Sequence, residues 1–368
     1  SLGFLAAAEL SGLQLFLGSY PITPASDILH ALASFKHLGV RTFQAEDEIA
    51  AICSAIGAAY SGALALTTTS GPGLALKGEA MGLALMLELP LVIVDVQRAG
   101  PSTGMPTKTE QADLMQAMYG RNGEAPLPII AASSPGDCFH AAIEACRMAL
   151  THMIPVVLLS DGYIANSAEP WPVPDLASIP RIPVQFHTQK EGFEPYARNE
   201  FLARPWALPG TPGLEHRIGG LEKQHLTGNI SYDAQNHEFM CKMRQDRVQK
   251  IADSLPPTPI HGDAEGDLLV LGWGNTTGAL QAGVERVRAT GKKIGHVQLR
   301  WVNPFPNDLG DILKRYKRVL VPELNLGQLV KLVRARYLVD ARSFTKIQGQ
   351  PFKESEIVQA ITQQLEAN

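Results

Sequence analysis

Three acids in a row, Glu46, Asp47 and Glu48, stand directly before a long run of small apolar residues, Ile49 to Ala63. Carboxylates at the start of a helix complement its dipole, for about 0.3–1 kcal/mol each, so a cap accounts for Glu46 and Asp47. Glu48 is the third of these acids and the one next to the apolar run. Three polar loops could surround it. Tyr20-Pro21-Ile22-Thr23-Pro24-Ala25-Ser26 is a rigid two-proline turn offering the Thr23 hydroxyl. Thr67 to Gly73 and Gln97 to Gly104 each follow an apolar run that reads as a strand; the first offers Ser70 and Gly71, the second the Arg98 guanidinium. In an open parallel sheet, ligands collect at the carboxyl ends of the strands. The loops should therefore converge on one edge and form one site.

The elements that must position these residues read as two α/β units and a connector. Up to residue 167, small-residue helical patterns alternate with buried-strand runs at Ala63–Thr67, Leu91–Val96, Pro128–Ala131 and Val156–Ser160. The Ala- and Gly-rich helix from Ile49 lets another backbone approach closely, either its own sheet or a second subunit. Residues 168–263 crowd prolines and lose periodicity, as in Trp171-Pro172-Val173-Pro174. One helix, Gln235 to Leu255, is expected there, packed on the outside. From residue 264, strands at Leu268–Gly272, Lys293–Leu299, Arg318–Val321 and about Ser343–Ile347 alternate with helices at Thr277–Thr290, Asp308–Tyr316, Gln328–Tyr337 and Ser355–Leu365. Successive βα units with short links imply a second open, mainly parallel sheet.

Composition narrows the chemistry. The 368 residues are 45% hydrophobic with a net charge of −4, which gives no basic field for nucleic acid or an anionic membrane. No apolar run is long enough to span a bilayer, and nothing at the start resembles a signal peptide, so a cytoplasmic protein is expected. Cys53, Cys138, Cys146 and Cys241 include no C-x-x-C pair, which argues against zinc, an iron–sulfur cluster held by this chain alone, or a disulfide framework. His140, His152 and His237 show no partners at metal spacing and are read as structural. Gly71 to Gly78 lacks the Gly-Lys-Ser/Thr of a phosphate loop. Gly272 to Gly278 has the wrong glycine spacing for a dinucleotide fold, and there is no G-x-S-x-G elbow. The chain begins at Ser1 rather than at a methionine, and we expect that a segment upstream was removed.

Taken together, Tyr-Pro-Ile-Thr-Pro at 20–24, Glu-Asp-Glu-Ile-Ala-Ala at 46–51, Thr-Ser-Gly-Pro-Gly at 69–73 and Gly-Pro-Ser-Thr-Gly-Met-Pro-Thr-Lys-Thr-Glu-Gln at 100–111 resemble the alpha subunit of 2-oxoacid:ferredoxin oxidoreductases, above all the 2-oxoglutarate type. The likeness continues through Tyr119 to Glu124 and, more weakly, through Glu323 to Gln328.

That resemblance implies a thiamine diphosphate pyrimidine-binding-type domain at 1–167, a connector at 168–263 and a transketolase C-terminal-like domain at 264–368. Glu48 matches the glutamate that hydrogen-bonds the aminopyrimidine of thiamine diphosphate, a role that wants a dry setting, of which Ile49 to Ile52 would supply part. Pro24, Ser70 and Gly71 join it at the cofactor. Thr23 and Arg98 match residues at the substrate carboxylate, where a guanidinium can form two parallel hydrogen bonds. Lys108, Thr109 and Arg121 are candidates for a distal carboxylate or a subunit boundary. The implied reaction is coenzyme A-dependent oxidative decarboxylation with electrons passed to ferredoxin. Ser160-Asp161-Gly162-Tyr163 does not match the metal-bridged diphosphate motif. Hence Mg²⁺, the diphosphate site and a [4Fe-4S] cluster are expected in a beta subunit, in a two-alpha, two-beta assembly, and no metal in this chain. Relatives commonly carry an extra N-terminal domain, so this chain was trimmed or is a variant without it. Two other readings are the beta chain of a lipoyl-linked 2-oxoacid dehydrogenase and a non-catalytic scaffolding subunit; the motif at 100–111 speaks against the first and Glu48 against the second.

Overall fold

The computed structural model describes residues 1–366. Its strands are β1 (Leu15–Ser19), β2 (Arg41–Gln44), β3 (Leu64–Thr69), β4 (Leu91–Gln97), β5 (Ile129–Ala131), β6 (Pro155–Asp161), β7 (His261–Gly262), β8 (Leu268–Trp273), β9 (Ile294–Leu299), β10 (Trp301–Asn303), β11 (Val319–Glu323) and β12 (Ala341–Thr345). They form two sheets, ordered β10-β5-β6-β4-β3-β1-β2 and β12-β11-β8-β9-β7. Every pairing is parallel except the outermost β10–β5 and β7–β9 pairs. The α/β architecture with two mainly parallel sheets is the expected one.

The strands β3, β4 and β8 are buried along their whole length. Helices cover both faces of such sheets, which is why these strands read as unbroken apolar runs rather than as alternating ones. Two short strands escape that pattern. β1 and β2 hold Gly18 and the polar Arg41 and Gln44, and they were not legible as strands.

β10 departs further from the expected layout. It belongs by sequence to the second unit, yet it pairs antiparallel with β5 of the first sheet. Asn303 Nδ2 donates to Leu127 O at 2.7 Å, Trp301 Nε1 donates to Glu144, and Arg300 pairs with Asp137, so three side chains at and just before the strand hold this strap. One continuous core accordingly runs from Phe4 to Ala341 through both sheets, while the outer face of the second sheet has its own cluster around Leu268, Ile357 and Ile361.

The connecting segment is pinned rather than loose. Glu88 is 2% exposed and sits between Arg198 and Arg247, whose charges hold its carboxyl down at about 2 against the cost of burial. Arg204 donates from Nε to the carbonyls of Leu87 and Glu88. The ring of Tyr196 lies 5.5–5.6 Å from Arg198, Arg204 and Lys223. The helix expected in this region runs Ala234–Lys250 and docks through Met240, Met243, Arg244, Arg247 and Val248.

Candidate active site

The carboxyl ends of the parallel strands in the first sheet lie in register. Ser19 of β1 faces Gln44 of β2, Thr69 of β3 faces Asp95 of β4, and Gln97 of β4 faces Asp161 of β6. The loops at Thr23, Glu48, Ser70, Arg98 and Thr109 therefore issue from one edge.

Asp47 caps the helix Glu48–Tyr60, accepting from Ala50 N at 2.8 Å. Glu48 is thus fixed as the first helical residue and is 8% exposed. Residues Ala51, Ile52, Ala55, Ile56 and Ala59 repeat at helical spacing and turn toward the sheet. A side chain at Gly18 of β1 would collide with Ser54 Oγ and Ala51 O, so glycine there lets the helix lie directly on the strand. Close packing on its own sheet explains part of the small-residue pattern. The opposite stripe, Ile49, Cys53 and Gly57, is exposed. Ile49, at 49% exposure, therefore does not wall the Glu48 carboxyl as the sequence suggested.

What surrounds Glu48 comes instead from the loop after β3 and the helix Gly71–Leu76. A Cβ on Gly73 would stand 2.9 Å from Glu48 Cγ and 3.3 Å from Oε1, and would overlap Thr69 Oγ1. The absence of a side chain at Gly73 is what makes room for the glutamate. Lys77, fully buried, donates from Nζ to the Glu48 carbonyl at 2.8 Å. Burial draws the Lys77 ammonium down to about 8, with Glu48 and Asp47 opposing the shift. Among the described residues no donor hydrogen-bonds the Glu48 carboxyl, so it is available to an external partner.

Arg98, 6% exposed, donates from Nη1 to Thr23 O at 2.7 Å, which brings these two residues together through the turn's backbone rather than its hydroxyl. Arg98 Nε and Ser70 Oγ are buried without a partner. Two clefts flank this link. One, of about 510 Å³, is lined by Gly71, Arg98, Asp113 and Gln328 among others. The second, of about 520 Å³, includes Thr23, Pro24, Lys108 and Thr109. Thr109 points its hydroxyl at Asp161 Oδ1, 2.9 Å away, and accepts from Asn275 Nδ2 at 3.1 Å. Arg121 lies elsewhere: its guanidinium donates to the carbonyls of Ala117, Met118 and Ala125 and closes the helix Leu114–Tyr119.

Asp161 is engaged within the chain through one carboxylate oxygen. Its Oδ1 takes four donors, from Tyr163 N, Ile164 N, Thr109 Oγ1 and Asn275 Nδ2, at 2.7–3.1 Å.

Several residues of this edge were not singled out from sequence. Asp95 and Asp113 form a buried acidic pair beside Gly71 and Arg98; burial first, and then Asp113, raises Asp95 well above its ordinary value, and burial raises Asp113 to about 6. Gln111 ties the two units: Nε2 donates to Trp273 O at 2.7 Å, Oε1 accepts from Leu324 N at 3.0 Å, and its backbone pairs with Leu324 and Asn325. The long motif at 100–111 thus ends as a clasp on the carboxyl ends of β8 and β11.

Glu48 and Arg98 thus stand at one sheet edge of an α/β unit onto which a second α/β unit is clasped. Residues 8–233 match the family described as pyruvate flavodoxin/ferredoxin oxidoreductase, thiamine diphosphate-binding, and residues 266–357 match pyruvate:ferredoxin oxidoreductase core domain II. This chain belongs to that family, among the alpha subunits of 2-oxoacid:ferredoxin oxidoreductases. It is 55% identical over 357 residues to the 2-oxoglutarate oxidoreductase subunit KorA of Mycobacterium tuberculosis, covering 96% of this chain and 54% of that one. It is 35% identical to the 2-oxoglutarate synthase subunit KorA of Archaeoglobus fulgidus, covering 86% of this chain and 85% of that one. The solved 2-oxoglutarate:ferredoxin oxidoreductase of Magnetococcus marinus, with 2-oxoglutarate, coenzyme A and succinyl-CoA bound, superposes with a TM-score of 0.94 at 34% identity, covering 99% of this chain and 64% of that one. The chain thus spans about half the length of the Mycobacterium relative. No helix among the described residues is long and apolar enough to cross a membrane.

Proposed function

We propose that this chain supplies the aminopyrimidine side of a thiamine diphosphate site in a 2-oxoglutarate:ferredoxin oxidoreductase. The observation that carries the reading is Glu48: a nearly buried acid, fixed by its cap and by Lys77, with its carboxyl unengaged in the space that Gly73 leaves open. That arrangement fits a ring nitrogen as hydrogen-bond partner. Ser70 Oγ, buried and unpartnered, adds a second polar group near the start of the same short helix, with Gly71 and Pro24 completing the cofactor side.

When bound, thiamine diphosphate would supply the nucleophilic carbon at which a 2-oxoacid loses carbon dioxide. The chain's own part is positional and electrostatic. Glu48 would hold a proton at the pyrimidine nitrogen of the bound cofactor and so favour the tautomer able to act as base. Arg98 and Thr23 receive the substrate carboxylate: the guanidinium is held by the Thr23 carbonyl through Nη1, and its Nε has no other partner. Charge-assisted, paired hydrogen bonds of this kind orient a carboxylate as well as bind it. Lys108, which lines the same cleft as Thr23, is the better placed candidate for a second carboxylate, since the Arg121 guanidinium is engaged by carbonyls.

The mismatch of Ser160-Asp161-Gly162-Tyr163 to a metal-bridged diphosphate motif, with Asp161 Oδ1 taken up by four donors of this chain, supports a diphosphate and Mg²⁺ site on a beta subunit, together with the [4Fe-4S] cluster that passes electrons to ferredoxin. Coenzyme A is the acyl acceptor, the assembly two alpha and two beta, and the location cytoplasmic. The names of the KorA relatives and the ligands of the Magnetococcus enzyme support 2-oxoglutarate as substrate.

The test is Glu48→Gln, assembled with the partner subunit. Decarboxylation should fall by about 10²–10⁴-fold with assembly unchanged. Activity within about tenfold of wild type would overturn the assignment, because a positioned acid contributes more than that. Comparing 2-oxoglutarate, pyruvate and branched-chain 2-oxoacids, with ferredoxin reduction in the presence of coenzyme A as readout, tests substrate and acceptor together. A lipoyl-linked dehydrogenase subunit reduces no ferredoxin.

A further inference from the structure

A second cluster of chemistry-bearing side chains lies far from the strand ends just described. The helix Ala234–Lys250 is anchored by Arg247, which reaches Glu88 at 2.8 Å and the Met153 carbonyl at 3.3 Å. Both precede strands, β4 and β6, so this helix sits at the amino-terminal edge of the first sheet. On its outward side His237 and Cys241 are four residues apart, which places them one above the other on a single helix face. Read alone, His237 had no partner; the fold supplies Glu222 from the connector.

The geometry is that of three ligand atoms around one point. Glu222 Oε2 lies 2.6 Å from His237 Nδ1, Cys241 Sγ lies 3.9 Å from Nδ1 and 3.7 Å from Nε2, and all the ligand atoms fall within 4.8 Å of one another. A zinc ion binds sulfur at about 2.3 Å and nitrogen or oxygen at about 2.0–2.2 Å, which puts tetrahedral ligands roughly 3.2–3.7 Å apart. The sulfur and imidazole are near that spacing. The carboxylate needs to withdraw from the ring by about half an ångström.

The residues around the cluster are built in. Glu222 Oε1 accepts from Lys223 N at 3.1 Å, and the turn that carries it is closed by the Gln224–Asn229 backbone pair. Asn236 ties that turn to the helix start, donating from Nδ2 to Lys223 O at 2.8 Å and accepting from His225 N at 3.1 Å. Arg244, with a side chain 5% exposed, donates from Nη2 to Cys241 Sγ at 3.1 Å and to Glu222 Oε2 at 3.3 Å. Metal-bound carboxylates and thiolates carry outer hydrogen-bond donors of this kind. Charge also balances: one dication, one thiolate and one carboxylate are neutral together, so Arg244 faces no net positive charge.

We propose that Glu222, His237 and Cys241 form a zinc-type metal site on the outer face of the connector helix, with a fourth position open to water beside His237. The sulfur and nitrogen donors select a borderline-soft dication over Mg²⁺ or Ca²⁺. On binding, the Cys241 thiol releases its proton to solvent, the metal–sulfur bond forms, and the imidazole carries its remaining proton on Nε2, away from the metal at Nδ1. The site joins the connector turn to the helix. It therefore stabilises the segment that Glu88 pins from the other side, and it takes no part in the strand-end chemistry.

The test uses the full chain in complex with its partner subunit, stripped with a chelator and then titrated with Zn²⁺ or Co²⁺. The complex should bind one equivalent per chain more than Cys241→Ser or His237→Ala. Each substitution should weaken that binding by about a hundredfold or more, beyond the 10–100-fold that loss of an outer partner costs. Cobalt should produce a thiolate charge-transfer band that Cys241→Ser abolishes, and zinc saturation should protect Cys241 from iodoacetamide. His237 has a side chain 63% exposed, so its alanine variant keeps the fold. Metal content equal to that of Cys241→Ser, no cobalt–thiolate band, or alkylation of Cys241 unchanged by zinc would each overturn the proposal. Metal sites of the partner cancel in the comparison with the variants.

Discussion

Gly73→Ala adds one methyl group at the wall of the Glu48 site and changes nothing else. The new Cβ would stand 2.9 Å from Glu48 Cγ. Carbon atoms in contact settle at about 3.5–4.0 Å, so the glutamate must retreat by roughly 0.6–1.1 Å, and Thr69 must also turn its hydroxyl aside. A displacement of about 1 Å from productive geometry can cost on the order of 10²-fold in rate. Stability moves much less. Alanine in place of glycine at a helical position recovers up to about 1 kcal/mol, while crowding a packed site costs about 1–3 kcal/mol. The expected signature is therefore a near-normal denaturation midpoint with turnover about a hundredfold down. The assay is 2-oxoacid-dependent ferredoxin reduction by the complex with its partner subunit, run beside urea denaturation of the same preparation. Turnover within about threefold of wild type would refute the reasoning, because Glu48 could then shift by most of an ångström without consequence.

Other perturbations follow from the buried groups. Lys77, held at about 8 by burial, binds fewer protons folded than unfolded between about 8 and the ordinary 10.4. Its penalty is full below about 8, fades between about 8 and 10.4 and is gone above that, so urea denaturation should show stability rising across that window, and less steeply in Lys77→Met. Asp113, raised to about 6, has the opposite sign: the folded chain holds the extra proton, and stability falls as pH rises from about 3.9 to about 6. Asp113→Asn should make that decline shallower, with the raised Asp95 keeping part of it, as read by thermal denaturation in a pH series. Gln111→Ala leaves Leu324 N without its partner at the junction of the two units, at about 1–3 kcal/mol, and takes one of two donors from Trp273 O, which keeps Thr276 Oγ1. A lowered denaturation midpoint, with earlier proteolysis of the second unit, is the expected result. Glu88→Gln removes the charge between Arg198 and Arg247 and should cost about 3–5 kcal/mol, measured as loss of soluble yield or of denaturation midpoint.

The strands β3, β4, β6, β8, β9 and β11 were legible because a strand covered on both faces must be apolar along its length. The polar loops that follow such strands identified the productive edge. β10 was not legible: three residues long, it is held in the first sheet by side chains of Arg300, Trp301 and Asn303 that meet partners more than 150 positions away. Lys77 was visible only as the lysine of a failed phosphate loop, because its partner is a backbone carbonyl on another helix.

The site residues themselves divide on a property that residue type does not encode. Thr109, Arg121, Ser70, Arg98 and Glu48 all offered polar groups near strand ends. The fold pairs Thr109 with Asp161 and Arg121 with the carbonyls of its own helix end, so their hydrogen-bonding capacity is used in holding the chain together. It leaves Ser70 Oγ and Arg98 Nε buried without partners, and the Glu48 carboxyl unengaged. A buried polar group without a partner costs about 1–3 kcal/mol, so a chain retains one where an external partner compensates. Ser70 and Arg98 are distinguished on that ground from Thr109 and Arg121, while Glu48 and the exposed Lys108 differ from them in having no hydrogen-bond partner for the carboxyl or the ammonium among the described residues.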